Sequence, residues 1–582
     1  MVLLSLIEET NGALDVDGAD CASGVDCAPP EVVRRLGLGG GVCLWLSSAA
    51  LEAAPSDEQK ALLKSTSCTI GPFELTQADA AREWLNEGAV RCIFSVRGEA
   101  SAAAAIKRDT AGLPAERLMV ALQVGPLDDA ATLPALVSSL DELAAAKGSG
   151  CLEYCAPETV GVVGGVLLRL PPAPSSSAAR TQLDARLAQE DALVEAVAPF
   201  AKKDRLRVVV DCGRATSKTV DAARVGRLHE KSGVDVLARA TLGGKSATAD
   251  GRLVVGECVA CCARSDRPDG LYATVVCDEG GVALGLVYSN AASLVAAVQT
   301  GRGVYWSRSR GGLWRKGETS GAWQALHSIA LSYDDNSSLA FRVTQHATSD
   351  GAPPAFCHKG CLTCWGDAIG VRALELTLVQ RRANAPAGSY TKRLFDDAEL
   401  LRNKLLEEAQ ELAEAEEVSD GMGCSKDPTD RLHPRLLPIL SPAPLTLPLP
   451  LSRHECRPHA SRHPRVFRQV DHVAAEAADL LYFALARCVA AGASLADVEA
   501  HLDARSLKVK RRPGNAKQYR IDAAAAALKK PDKPKKGGDK QPGGGGGSAA
   551  AAASAAAAAP RLALACVALG FGLGVLVARA RR

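Results

Sequence analysis

The chain has 582 residues, a length that excludes a single hydrophobic core and predicts three or four domains. Its formal net charge of +2 excludes bulk nucleic-acid binding, so anion recognition must be local. Only 4% of the residues are aromatic while Ala and Gly abound, which predicts Ala-built helices and some tracts that do not pack.

The N-terminus lacks a basic region, and Glu8 and Glu9 cut its apolar run short, so no secretory signal is predicted. The nineteen cysteines then read as thiols or metal ligands of a cytoplasmic protein rather than as a disulfide frame.

Residues 1 to about 245 alternate short β-type runs with Ala-rich helical runs. Val42–Leu46, Arg91–Ser95, Arg117–Leu122 and Arg205–Asp211 are continuous apolar runs suited to a parallel sheet covered on both faces. The prediction is an α/β, barrel-like domain. Two pieces, Thr76–Val90 and Val208–Ser217 with Gly233–Leu237, resemble the phosphate-handling barrels of the isomerase and cyclase of the histidine pathway. Where that resemblance implies a strand-end catalytic Asp, this chain has Gln123. An amide cannot exchange a proton as a carboxylate does, so a non-catalytic domain is expected. Cys258–Cys262 contains a CxxC without a second CxxC at ribbon spacing, and reads as ordinary thiols.

From about 260 to 370 the pattern turns to hairpin-like strands with few helices. Its centre is Tyr305–Gly321, which gathers four cations, four hydroxyls, four glycines and three aromatics in seventeen residues. Guanidinium forks, hydroxyls and bare backbone are what a phosphate needs, and an aromatic neighbour can stack on a base. The other reading of those residues is a solvated basic loop. The stretch resembles the signature of phosphoribosyl-AMP cyclohydrolase, and the resemblance implies that Ser307, Arg308, Ser309, Arg310, Trp314, Lys316, Glu318, Thr319 and Ser320 bind substrate. It also implies zinc on cysteines, and magnesium on an Asp-Cys-Asp-x-Asp segment. Cys357, His358 and Cys364 match the family spacing, with His358 a candidate proton carrier. The acidic segment falls at Tyr333–Ser337, where Asp334 replaces the zinc cysteine and only Asp335 survives of the aspartates. Zinc accepts a carboxylate, so Asp334 with Cys357 and Cys364 is the expected set, and Cys361 is a spare thiol.

Farther on, Ala385–Phe395 reads as a turn and helix start, followed by helices over 397–417 and 471–491. Glu407, Glu408 and Glu411 on the first, and Glu476 and Asp479 on the second, are spaced to share a helix face. Glu476 and Asp479 interrupt an otherwise apolar helix, where like charges are costly unless a cation neutralises them. Two such helices facing each other would cage magnesium with oxygen ligands. EExxE followed by ExxD, with Ser389–Thr391 and Asp479–Tyr482, resembles the all-α, MazG-like pyrophosphohydrolases, specifically phosphoribosyl-ATP pyrophosphohydrolase. The domain is expected over 380–417 and 471–505.

Between those helices the chain departs from the family with a proline-rich segment, 418–470, expected to be a disordered insert. Its His454, Cys456, His459 and His463 form a weak metal pattern. After a basic stretch, Lys508–Arg520, no dehydrogenase sequence follows, unlike the fungal trifunctional histidine-biosynthesis arrangement. Instead residues 521–560 are low-complexity linker, and Leu562–Ala578 with arginines on both sides reads as a tail anchor to a membrane. A loosely packed Ala/Gly helix is the alternative.

The resemblance covers about residues 200–520 and implies a zinc- and magnesium-dependent enzyme for two consecutive hydrolyses, acting on small nucleotides as a homodimer. The rival expectations are a membrane-tethered scaffold with a degenerate cyclohydrolase domain, and a general nucleotide pyrophosphatase.

Overall fold

Eight runs rich in Val, Leu, Ile and Cys form parallel strands: β1 (Leu3–Thr10), β2 (Val42–Trp45), β3 (Cys68–Phe73), β4 (Arg91–Ser95), β5 (Leu118–Gln123), β6 (Gly165–Arg169), β7 (Arg207–Asp211) and β8 (Asp235–Thr241). The computed structural model describes residues 3–10, 13–14, 29–96, 102–144, 161–171, 180–202, 205–212, 221–243, 252–333, 335–348, 354–415, 464–509 and 516–528. Each strand pairs with the next, and β8 pairs back onto β1 with Leu3 opposite Val236, so the sheet closes into a barrel. The four predicted strands are among these eight.

Strand alternation decides what fills the barrel. Leu4, Cys43, Ile93, Met119, Ala121, Leu167, Val209 and Leu237 form one buried cluster inside it. Two residues further along β5, β6 and β7 the same parity gives Gln123, Arg169 and Asp211 at the C-terminal mouth. Arg169 Nε lies 3.5 Å from Asp211 Oδ2, and the Arg169 guanidinium sits 5.2 Å from the Trp45 ring. Gln123 donates to the Arg169 carbonyl at 3.3 Å and is exposed.

The opposite rim of the barrel makes contacts with later parts of the described chain. Helix α1 (Pro29–Leu36) ends there; Arg35 donates to the Gln299 carbonyl at 2.9 Å and Arg34 to that of Leu326. Arg117, at the start of β5, donates to the Leu507 carbonyl, and Asn86 accepts from Val509 N at 2.9 Å. Helix α2 (Val255–Cys262) carries the CxxC. Cys258 and Cys262 are buried, Cys261 is exposed, and burial raises the titration of all three thiols. Cys258 and Cys262 are packing residues, and Cys261 is an ordinary exposed thiol.

A four-stranded sheet follows, in the order β10–β9–β14–β13, built from β9 (Tyr272–Cys277), β10 (Ala283–Ser289), β13 (Gln324–Leu331) and β14 (Ser338–Gln345). Helix α3 (Ala291–Thr300) starts at Asn290, whose side chain accepts from Ser293 N. After it comes the hairpin β11 (Val304–Ser307) and β12 (Gly312–Arg315).

The last region is helical: α4 (Gly370–Asn384), α5 (Tyr390–Asp396), α6 (Ala398–Glu414), α7 (Pro464–Ala491) and α8 (Leu495–Ser506). Asp397, expected inside the first long helix, is instead the cap of α6 and accepts from Glu399 N and Leu400 N. Leu378, Leu394, Leu401, Phe483, Leu485, Ala486 and Val489 make the core between these helices. Among the described residues no single helix is long and apolar enough to cross a membrane. Residues 464–470, expected to belong to the disordered insert 418–470, instead start α7, and the helix Gln518–Leu528 takes in the first residues of the expected linker 521–560; residues 418–463, with the His/Cys group, and 529–582 lie outside the described residues.

Candidate active sites

The hairpin β11–β12 runs beside β10, and it splits the predicted phosphate residues between its two ends. At the tip, Ser307 Oγ accepts from Arg310 N at 3.3 Å and lies 3.3 Å from Ser309 Oγ. Ser307, Arg308 and Ser309, with Leu286–Tyr288, Trp306 and Trp314, line a cavity of about 540 Å³. Arg310 is exposed on the same tip. Tyr305, one of the three aromatics of the stretch, is wholly buried against Phe341 and Trp314 and donates to Gln324 Oε1 at 2.7 Å. Trp314 is the aromatic of the stretch that both reaches the cavity and packs on that core.

Lys316 is at the other end. Its Nζ donates to the Phe356 carbonyl at 2.9 Å, and burial lowers its titration while Cys364 and Cys357 oppose that shift. The Cys364 thiol is raised by burial first and by Cys357 next, while Lys316 lowers it. Two thiols and one ammonium therefore share a corner. The backbone explains the corner: Cys364 N donates to the Leu284 carbonyl at 2.8 Å, and a Cβ on Gly285 would meet the Phe356 ring at 2.2 Å. Glycine at 285 lets Phe356, and with it Cys357, settle on the sheet. Beyond Lys316, Gly317 has φ +82°, and a Cβ there would lie 2.3 Å from Trp323 N. That turn leaves Glu318, Thr319 and Ser320 exposed. His358 is exposed beside the thiol segment.

The acidic segment falls elsewhere. Asp335 Oδ1 accepts from Ser332 Oγ at 2.7 Å and from Ser337 N at 2.9 Å, in the turn between β13 and β14; Asp334 lies outside the described residues. Ser338 pairs with Ala273, which pairs with Tyr288. Cys364 is tied to Leu284, four residues away along β10, roughly 13 Å at strand rise. One chain therefore holds Asp335 and the two thiols at opposite ends of the sheet.

In the helical region α6 and α7 bring together Glu408, Glu411 and Glu476, whose ligand oxygens lie within 4.8 Å of one another. Glu408 is only 5% exposed, Glu476 is half-buried, and Glu411 is exposed. Burial, then Glu408 and Glu476 beside it, raises the Glu411 carboxyl. The sequence did not single out Lys404, four residues before Glu408. Burial works against its charge, but its bonds to Glu408 and Glu407 prevail and raise its titration. Glu407 accepts from Lys404 and stays outside the cluster. Asp479 is exposed, one turn from Glu476, and is not in the cluster. The Ser389–Thr391 segment packs here: Ser389 caps α5, and Thr391 Oγ1 lies 3.3 Å from Tyr482 Oη. Glu411 stands four residues from Glu407 and three from Glu408, so carboxylate spacing alone does not separate the two; phase counting from Leu401 and Leu405, seven and three residues before Glu408, puts Glu408 on the buried face.

A thiol corner with a hydroxyl- and arginine-lined cavity, followed by facing helices that gather carboxylates, defines a protein with two nucleotide-hydrolase-type domains. Phosphoribosyl-AMP cyclohydrolase matches residues 285–366, and phosphoribosyl-ATP pyrophosphohydrolase matches residues 371–506. The histidine biosynthesis bifunctional protein HisIE of Salmonella typhi is 31% identical over 188 residues, 31% of this chain and 88% of that protein. The chain belongs to this bifunctional histidine-biosynthesis family. It is also similar to the bifunctional protein his7 of Schizosaccharomyces pombe, 38% identical over 284 residues, 49% of this chain and 54% of that protein. The trifunctional protein of Neurospora crassa is 41% identical over 267 residues, 46% of this chain and 24% of that protein. The chain thus spans about half of the first fungal relative and a quarter of the second.

Proposed function

We propose that this chain carries out two consecutive hydrolyses in histidine biosynthesis. The helical domain releases pyrophosphate from phosphoribosyl-ATP, and the strand domain opens the adenine ring of the resulting phosphoribosyl-AMP. The observation that carries the reading is the gathering of Glu408, Glu411 and Glu476 from two helices, in one chain with the thiol corner.

Three carboxylates share this site with one lysine, Lys404, and the all-oxygen donor set suits magnesium, which would supply charge neutralisation for the triphosphate and an activated water. Glu408, Glu411 and Glu476 would hold it, with Asp479 one turn away from Glu476 on the same helix. Tyr482 and Thr391 brace the α5–α7 contact on which that geometry depends.

In the strand domain Cys357 and Cys364 suit zinc, which would supply a polarised water for attack on the ring. His358 is free in this reading to carry a proton, and Arg308, Ser307 and Ser309 hold the ligand's phosphate, with Trp314 as a wall for the base. Because the register puts Asp335 beyond the Tyr288 end of β10 and the thiols at its Leu284 end, roughly 13 Å of strand apart, a metal held by both would take them from two copies, which fits a homodimer. Lys316 then serves the thiol corner rather than the phosphate.

The test is turnover of phosphoribosyl-AMP together with zinc content. About one zinc per chain with ring opening supports the reading; zinc-free protein that binds phosphoribosyl-AMP without converting it makes the strand domain a binding module. Equal rates on phosphoribosyl-ATP and ordinary nucleoside triphosphates would make the helical domain a general pyrophosphatase.

A further inference from the structure

Arg308 stands on the exposed tip of the β11–β12 hairpin, yet its guanidinium carbon lies 4.1 Å from the centre of the Tyr288 ring. A second guanidinium, from Arg267, lies 4.5 Å from the centre of the same ring. Arg267 is held in turn by a two-bond fork to Asp269, Nε to Oδ1 at 2.9 Å and Nη2 to Oδ2 at 2.7 Å. Tyr288 and Arg308 both line the cavity at the hairpin tip.

A surface arginine ordinarily samples many rotamers and gives up that freedom when an anion binds it. Stacking on an aromatic face removes the freedom beforehand and leaves the N–H fork at the ring's edge available. The charge of Arg267 is matched by Asp269, whereas among the described residues no acid pairs with Arg308. The arrangement is a brace with one fixed end and one working end. Tyr288 itself is fixed because β10 pairs it with Ala273 of β9.

We propose that Tyr288 is a positioning residue that pre-orders Arg308 for the phosphate of the nucleotide substrate, with the Asp269–Arg267 pair as its brace. This rests on the cyclohydrolase reading given above. Arg267 and Asp269 lie just before the matched residues 285–366, next to β9 of the same sheet. Neither Tyr288 nor Arg267 touches the thiol corner, so the brace acts on ligand affinity and leaves the ring-opening step alone.

The experiment uses the full chain with Tyr288→Ala, Tyr288→Phe and Arg267→Ala. Steady-state kinetics on phosphoribosyl-AMP give KM and kcat. Phenylglyoxal modification of Arg308, followed by peptide mass spectrometry, reports how free that guanidinium is without any need for turnover. Tyr288→Ala raises KM about tenfold with kcat changed less than threefold, and Arg267→Ala raises KM about threefold. Phenylalanine keeps the ring and restores the wild-type KM. Arg308 is modified faster in Tyr288→Ala and at the wild-type rate in Tyr288→Phe. An unchanged KM and an unchanged Arg308 reactivity in both alanine variants would overturn the proposal. If the wild type turns over no phosphoribosyl-AMP, the cyclohydrolase reading fails, and Arg308 reactivity alone decides whether Tyr288 positions it.

Discussion

Lys404 Nζ stands 2.7 Å from Glu408 Oε1, so the buried carboxylate at the centre of the helical site has a cation of its own. A second contact, 3.0 Å to Glu407 Oε2, and the Phe483 ring 5.4 Å away fix the ammonium on one side of the cluster. Replacing it with methionine leaves Glu408 buried beside Glu411 and Glu476 with no internal counter-charge. We expect Lys404→Met to lose about 2 kcal/mol in EDTA, and to recover most of it in millimolar magnesium. Urea denaturation in both buffers checks this; equal stability of variant and wild type in EDTA would contradict it.

The carboxylate cluster also sets a pH dependence for metal binding. Burial and its acidic neighbours raise the Glu411 carboxyl, so it takes up a proton at a higher pH than a free glutamate. Proton and metal compete for it, and metal affinity therefore falls as pH drops through that raised value, by up to about tenfold per unit for one displaced proton. Manganese binding followed by electron paramagnetic resonance measures this. Glu411→Gln should bind more weakly at pH 7 and show a flatter profile.

Arg372, in the first turn of α4, ties the helical region to the four-stranded sheet. Its Nε lies 3.3 Å from the buried Asp278 Oδ2 at the end of β9, and its Nη1 bonds Glu375. Glu375, also buried, accepts from Leu495 N at 2.6 Å and so anchors the start of α8. Arg372→Ala strands two buried carboxylates and should cost about 3 kcal/mol. It should also speed chymotryptic cleavage after the exposed Trp365, just before α4. Asp278→Asn with Glu375→Gln in the same chain should recover part of the loss, since the stranded charges are then gone.

Within the barrel, Asp235 is held at about 2, well below its ordinary 3.8: burial alone would raise it, and Arg207, 2.8 Å away, outweighs that. A carboxyl depressed on folding stabilises the protein above its unfolded value. The contribution is therefore complete above about pH 4 and is lost as pH falls from 3.8 towards 2. The shift corresponds to about 2 kcal/mol. Asp235→Asn should lose that amount at pH 7 and show a shallower acid transition in that window.

The barrel was legible because its strands are buried on both faces and so read as unbroken apolar runs, and Gln123 was correctly placed at a strand end by its position after Leu122. Closure of β8 onto β1 was not legible, since pairing between residues over 230 positions apart leaves no local pattern. The helical site was legible in its spacing but not in its phase: apolar neighbours of Asp479 suggested burial, yet Asp479 faces outward while Glu476 turns toward α6. In the strand domain the motif Tyr305–Gly321 is continuous in sequence but spans a hairpin. A hairpin sends its tip and its base to different places, so Arg308 and Lys316 part company although eight residues separate them. Tyr288, Arg267 and Lys404 carried no motif, because their roles depend on which ring or carboxylate the fold sets beside them.

The central claim is that one chain performs both hydrolyses at separate centres. The most direct measurement supplies phosphoribosyl-ATP to the full chain and follows pyrophosphate, phosphoribosyl-AMP and the ring-opened product in time. The account predicts that the wild type releases pyrophosphate and then forms the ring-opened product, that Cys364→Ser stops at phosphoribosyl-AMP, and that Glu476→Gln stops before it. Undiminished pyrophosphate release by Glu476→Gln, or a ring-opened product from Cys364→Ser at the wild-type rate, would contradict it.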